Sequence, residues 1–337
     1  MKIAIHHTPG SFSDRWISYC EENDIPYKLV NAYDSDIIKH VEDCDAFMWH
    51  HNHGNYKDVL FAKQLLYSLE MAGKKVFPDF HTGWHFDDKV GQKYLLEAIG
   101  APLVPSYVFY SKGEALEWVN KTTFPKVFKL RGGAGASNVR LAHTKSEAVS
   151  LIKTAFGKGF SQFNRWGYCK ERFNKWRAGE DSLLGVCKGI ARLFVPTEFA
   201  KMHAPEKGYV YFQNYIPENE TDYRIKVVNG NCWGFQRKVR KNDFRASGSG
   251  ILLFQNDMIP LEMIKIAQET AERLQLQSVA FDFIVDKQTN KCLIVEMSYC
   301  FGFDDKEMLN GYWDKNFKWH TEKFVPHYWM VDNILNR

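Results

Sequence analysis

The sequence predicts an α/β protein: a parallel βαβ domain followed by lobes that mix helices with strands. Three patterns predict it. Over residues 1–80 short apolar strands alternate with helices, the rhythm of a parallel sheet with helices on both faces. From residue 87 the rhythm changes to helix, turn and strand, with one glycine-rich turn between two strands. From residue 208 strands resume in series, interrupted by a single helix. At 337 residues the chain is long enough for two domains or for one large domain with lobes.

Each element has its own signal. KIAIHH, PYKLVN, DAFMWHH and KKVFPD read as strands of the first segment. DVLFAKQLLYSLEMAG reads as a helix that ends at the C-capping Gly73. Ligands of such sheets sit at the carboxyl ends of strands. Those ends are His6-His7-Thr8-Pro9-Gly10, the cluster His50, His51 and His53, and Asp79 to His81. The histidines either touch a ligand or close the strand end. Their spacing puts only His51 and His53 on one face, so no metal site is evident from them. DDKVGQKYLLEAIG is a helix that closes at Gly100, and SKGEALEWVNK is another with Ser111 as its cap. Between them, APLVPSYVFY is a turn and a strand. FPKVFKLRGGAGASNVRLA reads as strand, glycine-rich turn, strand. Residues 145–205 are helical and cation-rich. GYVYFQNYI, YRIKVVNG and CWGFQRKV are strands, LEMIKIAQETAERLQL is a helix, and SVAFDFIVD and KCLIVEM are the closing strand pair.

Composition narrows the function. Hydrophobic residues at 45% and charged residues at 25% are ordinary for a globular protein. A net charge of +4 does not argue for nucleic acid. The basic residues between Lys158 and Lys201 are diluted by Glu171, Glu180, Asp181 and Glu198, so nucleic acid is not the expected partner. The seven cysteines are scattered and form no CxxC pair, so neither a disulfide framework nor a zinc knuckle is suggested. No apolar run approaches the roughly 18 residues that span a bilayer. MKIAIHHTPG reads as a strand rather than a signal peptide, so a cytoplasmic protein is expected.

Four constellations carry chemistry. In FKLRGGAGASNV a lysine ends a strand and small residues follow; their amides can approach a phosphate closely, and Lys129 adds a point charge. A plain β-turn reads the same way, and neither a Walker sequence nor a GxGxxG fingerprint is present. In FQNYIPENETDYRI a strand delivers Gln213 to an apolar pair, and Asp222 follows a proline turn. That is either a purine-edge hinge with a ribose acid or a linker. FQRKVRKNDFRASGSG packs Arg237, Lys238, Arg240, Lys241 and Arg245 around Asp243. It reads as a solvated charge run or as a loop closing over an anion, with Arg237 sharing a strand face with Val239 and Lys241. Last, Asp282 in FDFIVD and Glu296 in LIVEM occupy matching positions in two strands joined by a short turn. Antiparallel pairing sets the two carboxylates side by side, where Mg²⁺ or salt bridges to Arg237 or Lys226 would reconcile them.

The order and spacing of these constellations resemble the ATP-grasp superfamily, which includes D-alanine–D-alanine ligase, glutathione synthetase and the RimK-like amino-acid ligases. The resemblance covers roughly 85–305 and is nearest the RimK-like branch through Arg237 and Asp243-Phe244-Arg245. It implies a pre-ATP-grasp domain (1–84), a central helix and small lobe with a long helical insertion near 145–205 (85–210), and a large lobe (211–337). It implies that ATP phosphates meet Lys89, Lys129 and the loop of Gly132, Gly133, Gly135, Ala136 and Ser137. Gln213, Asn214, Tyr215 and Ile216 would form the adenine hinge and Asp222 would hold the ribose. Mg²⁺ would be held by Asp282, Glu296 and Ser298, and Arg237 and Arg245 would be catalytic. The family usually reads Glu-x-Asn where this chain has Glu296-Met297-Ser298, which bears on a second metal ion. The hinge begins with Gln213 where glutamate is common. GYWD…KWH…FVPHYWM is similar to ATP-grasp proteins encoded with surface-polysaccharide biosynthesis.

The implied activity is ATP-dependent joining of a carboxylate to an amine through an acyl-phosphate. The expected partners are a small-molecule or sugar-linked carboxylate and an amine, and a homo-oligomer is allowed. A phosphotransferase acting on a hydroxyl and a protein that binds ATP without turnover are the alternatives.

Overall fold

The computed structural model describes residues 1–133, 138–161, 169, 172–173, 176–177, 182–194, 202–240, 244–246, 250–254 and 256–336. Gly135, Ala136, Ser137 and Asp243, with much of 145–205, lie outside the described residues. The chain forms two compact units: one of Met1–Phe86, Tyr94–Leu103 and Ile216–Arg337, the other of Asp87–Lys93 and Val104–Tyr215. The first 86 residues thus group with 216–337, whereas the sequence divides them at 84 and 210. The chain passes from the second unit to the first at Tyr215–Ile216, inside the expected hinge.

The first unit contains a four-stranded parallel sheet of β1 (Ile3–His6), β2 (Tyr27–Val30), β3 (Ala46–Trp49) and β4 (Lys75–Phe77), in the order β2-β1-β3-β4. Crossover helices Phe12–Glu22 and Tyr56–Met71 make the parallel register, with His6 opposite both Val30 and Trp49. Ser11 and Asn55 cap these helices through side-chain oxygens that accept from the N–H groups of Ser13 and Lys57. Every residue of β1 and β3 is buried, as strands covered on both faces must be.

The second unit holds the small antiparallel sheet. Its strands are β5 (Ser106–Phe109), β6 (Lys126–Lys129), β7 (Val139–Ala142) and β8 (Val210–Asn214), in the order β5-β8-β6-β7. Helices Lys112–Lys121 and Lys145–Ala155 supply Ala115, Val119 and Ile152 to a core with Phe128 and Phe212. Ser111 stands at the expected cap position, but its side chain makes no capping bond. The cation-rich stretch contributes the helix Leu183–Phe194.

The remaining strands return to the first unit: β9 (Thr221–Val228), β10 (Asn231–Lys238), β11 (Leu252–Leu253), β12 (Ser278–Asp286), β13 (Lys291–Ser298), β14 (Tyr312–Trp313) and β15 (Trp319–His320). They form one antiparallel sheet in the order β13-β12-β9-β10-β14-β15, with β11 also paired to β10. One face packs Ile225, Val227, Phe281 and Phe283 against Met263, Ile264 and Ala267 of the helix Leu261–Arg273. Period-two alternation sends Asp222, Arg224 and Lys226 to the other face. The closing helix Pro326–Leu335 puts Met330 and Val331 into a core shared with Ile3, Ile5, Trp16 and Tyr299. That shared core is why the N-terminal sheet is not a separate body. Among the described residues no helix is long and apolar enough to cross a membrane.

Candidate functional site

In the second unit, β6 delivers the buried Lys129 to the start of the glycine-rich turn. Lys89 begins the helix Lys89–Ala98; its N–H donates to the Arg131 carbonyl at 3.0 Å and its Nζ to the Gly133 carbonyl at 2.8 Å. Lys89 therefore reaches the turn. Asp87, in the left-handed region at φ +54°, turns its carboxylate to the same place, where it accepts from the Gly133 N–H at 2.7 Å. A Cβ on residue 132 would stand 3.1 Å from Asp87 Oδ2, so Gly132 permits this close approach. Gly133 itself sits at φ +103°. The Asn138 side chain donates to the Gly132 carbonyl at 3.3 Å and braces the turn from its far end.

The hinge strand β8 carries Gln213, whose amide is buried and donates to Ser106 Oγ at 3.1 Å. The same hydroxyl accepts from Tyr211 Oη at 2.9 Å and donates to the Val104 carbonyl at 2.7 Å. Asn214 Oδ1 accepts from Lys126 Nζ at 2.7 Å, and burial lowers the Lys126 pKa. Tyr215 and Ile216 are half-buried.

In the first unit the polar face of the large sheet forms a charged ladder. Asp282 lies directly opposite Glu296 on one side and opposite Arg224 on the other. Arg224 grips Asp282 with two parallel bonds, Nε to Oδ1 at 2.8 Å and Nη2 to Oδ2 at 2.9 Å. Arg237 grips Asp222 in the same way, at 2.7 and 2.6 Å, and its Nη2 also lies 2.9 Å from Asp282 Oδ2. Burial alone would push the Asp282 pKa up; Arg224 and Arg237 overcome it and hold the carboxyl well below the usual carboxylate range. One sequence expectation changes here. Arg237 is not part of a solvated run or a mobile loop: it lies on β10, 5% exposed, and β10 ends at Lys238 before Val239 and Lys241. Asp222 accepts from Arg237 with both oxygens, and each oxygen keeps a lone pair for a further donor. Arg245 lies beyond β10, half-buried, its guanidinium 5.9 Å from the centre of the Phe244 ring.

A β-bulge sets the direction of Glu296. The register runs from Asp282 opposite Glu296 to Phe283 opposite Ile294, leaving Val295 as the extra residue. Ile294 and Met297 can then both face the core while Glu296 faces the ladder. Ser298 pairs with Ala280, and its hydroxyl donates to the Cys300 carbonyl at 3.3 Å. Asp282, Glu296 and Ser298 thus offer oxygen donors on one face, the chemistry that Mg²⁺ requires. Among the described residues no group of three or more His, Cys, Asp or Glu is placed to hold a metal. The donor set fits an ion that keeps waters or takes phosphate oxygens for its other positions.

Lys226 occupies the next step of the ladder. Its Nζ donates to both Glu307 oxygens, at 2.8 and 2.7 Å, and to the Gly302 carbonyl at 2.7 Å. Trp233 Nε1 also donates to Glu307, at 2.8 Å. Burial pushes the Lys226 pKa down to about 8, against the pull of Glu307. The contact fastens the segment after Ser298 onto the sheet. Arg224, Glu307 and Asp87 are not among the residues that the sequence singles out. The spacing Asp222-x-Arg224 placed Arg224 on the ladder face; nothing in the sequence announced the other two.

No protein-family model matches the sequence, and no curated protein matches it. Solved structures do match. A RimK-domain ATP-grasp protein from Sphaerobacter thermophilus is similar with a TM-score of 0.57 and 12% identity over 100% of both chains. D-alanine–D-alanine ligase from Bacillus anthracis gives 0.57 at 15% identity over 100% of this chain and 96% of its own. The biotin carboxylase domain of Hydrogenobacter thermophilus 2-oxoglutarate carboxylase, crystallised with MgADP and bicarbonate, gives 0.59 at 12% identity over 100% of this chain and 70% of its own. At such identities the likeness is one of fold: the chain has the fold of ATP-grasp proteins.

Proposed function

We propose that the protein is an ATP-dependent ligase that joins a carboxylate to an amine and releases ADP and phosphate. The observation that carries this reading is the charged ladder, with Asp282 and Glu296 in direct register beside Arg224 and Arg237. Asp282 and Glu296 hold Mg²⁺, with Ser298 as a third oxygen or as the partner of a bound water. When bound, the ion neutralises charge that develops on the β- and γ-phosphates. Lys89, Lys129 and the amides of Gly132, Gly133, Gly135, Ala136 and Ser137 hold the phosphates. Gln213, Asn214, Tyr215 and Ile216 meet the adenine, and Asp222 meets the ribose. A substrate carboxylate oxygen attacks the γ-phosphorus and ADP leaves. The amine lone pair then attacks the acyl carbon, the C–O bond to phosphate breaks, and the amine gives up a proton. Arg237 and Arg245 stabilise the anionic centres of both steps.

A second reading, ATP binding without turnover, is favoured by one feature: both Asp282 oxygens already accept from arginines. The test incubates the full chain with ATP, Mg²⁺ and pairs drawn from amino acids, uronic acids and amino sugars, and weighs the products. Ligation requires phosphate release that depends on both partners and a product linked by loss of water. A phosphorylated hydroxyl assigns a phosphotransferase instead. Tight ATP binding with no ADP formed assigns the second reading.

A further inference from the structure

The turn after β6 offers backbone N–H groups to an anion, yet the chain's own carboxylates already meet them. Asp87 Oδ1 accepts from the Gly133 N–H at 2.7 Å. Glu206 Oε2 accepts from the Arg131 N–H at 3.2 Å. A Cβ on residue 132 would stand 3.1 Å from Asp87 Oδ2 and 3.5 Å from Glu206 Oε1, so both carboxylates close on Gly132. All of these residues belong to the second unit.

Asp87 is not needed to start the helix Lys89–Ala98. Asp88 does that: its Oδ1 accepts from the Gly91 N–H at 2.9 Å, and its Oδ2 accepts from Arg131 Nη2 at 2.6 Å. Asp87 stands at φ +54°, a left-handed conformation that glycine adopts most easily. What the aspartate adds there is a carboxylate on the Gly133 N–H. That is a charge-assisted bond, the same kind that a phosphate oxygen makes with the amides of such a turn. Two anions at one N–H repel each other.

We propose that Asp87 is an internal competitor of the nucleotide: its carboxylate occupies the Gly133 amide in the free protein, and a phosphate of ATP binds by displacing it. This rests on the nucleotide site of the proposed ligase. Rotation about the Cα–Cβ bond carries the carboxylate off the amide. ATP affinity is thereby held below what the turn alone would give, and the penalty falls on the phosphates rather than on adenosine. The full-length parent, Asp87→Asn and Asp87→Gly are titrated by calorimetry with ATP and with adenosine at one Mg²⁺ concentration, and the Gly133 N–H is followed by ¹⁵N NMR. Both substitutions suit a left-handed backbone. Asp87→Asn keeps an acceptor without its charge and is expected to bind ATP about threefold more tightly, and Asp87→Gly, which removes the acceptor, about tenfold. Adenosine affinity is expected to be the same for all three. ATP is expected to shift the Gly133 resonance of the parent, a result that stands even if a variant does not fold. The competitor role is overturned if ATP binds but both variants match the parent or bind more weakly, which would make Asp87 a brace of the turn. It is also overturned if adenosine gains as much as ATP, or if bound ATP leaves the Gly133 resonance unmoved. ATP binding to none of the three chains overturns the nucleotide site itself, and the competitor with it.

Discussion

Two guanidinium groups, from Arg224 and Arg237, meet the single carboxylate of Asp282. A buried carboxylate without partners would be costly, and bidentate pairing satisfies it. Asp282 thus stays ionised but shares its lone pairs, so under the proposed function Glu296 would take a larger part in holding Mg²⁺. Ser298 is the residue whose role the geometry makes measurable. Its hydroxyl donates its proton to Cys300 and keeps oxygen lone pairs for an ion or its water. Ser298→Ala is expected to raise the Mg²⁺ concentration needed for half-maximal turnover, with a smaller loss at saturation. A Mg²⁺ titration that overlays the parent curve would assign the hydroxyl to backbone capping alone.

Strands were the most legible elements, because apolar runs such as IAIH and AFMW are bracketed by turn residues. The register of Asp282 with Glu296 was legible for a related reason: a short turn between two strands leaves few pairings. The bulge at Val295 was not, since nothing local in LIVEM marks an extra residue; it answers the need to bury both Ile294 and Met297. Nor did the sequence reveal that Arg237 is buried, because its partner Asp222 comes from a different strand and a charge run looks solvated. At the turn after β6, Lys129 was legible as a strand-end cation, whereas Asp87 bonded to Gly133 depends on tertiary contact. Lys129→Ala is expected to weaken ATP affinity by roughly ten- to a hundredfold, the worth of one charge-assisted contact, with folding retained. Calorimetry that gives the parent affinity would remove Lys129 from the nucleotide site.

Across the whole molecule, the first unit buries several neutral histidines. Burial holds His50 and His327 down to about 3 and His51 well below its ordinary value. His50 stacks on Phe12 at 3.7 Å, and His327 packs edge-on against the same ring at 4.7 Å, joining the N-terminal sheet to the closing helix. The unfolded chain takes up protons at these sites below about pH 6.5, while the folded chain does not. Their stabilisation is therefore complete above that pH and is lost as pH falls from 6.5 toward 3, by about 1.4 kcal/mol per pH unit for each histidine. Tm measured from pH 7 to 5 should fall, and His327→Phe should flatten the slope. Parallel curves for parent and variant would exclude His327 from the acid sensitivity.

The buried contact between Lys226 and Glu307 joins positions 81 residues apart. Removing either partner alone leaves a charge stranded in the interior, at a cost of about 3–5 kcal/mol, whereas apolar replacement of both is far milder. Under random mutagenesis with selection for a folded chain, the two positions therefore behave as one locus. Survivors keep both charges or lose both, and the path between these states runs through single mutants that seldom survive.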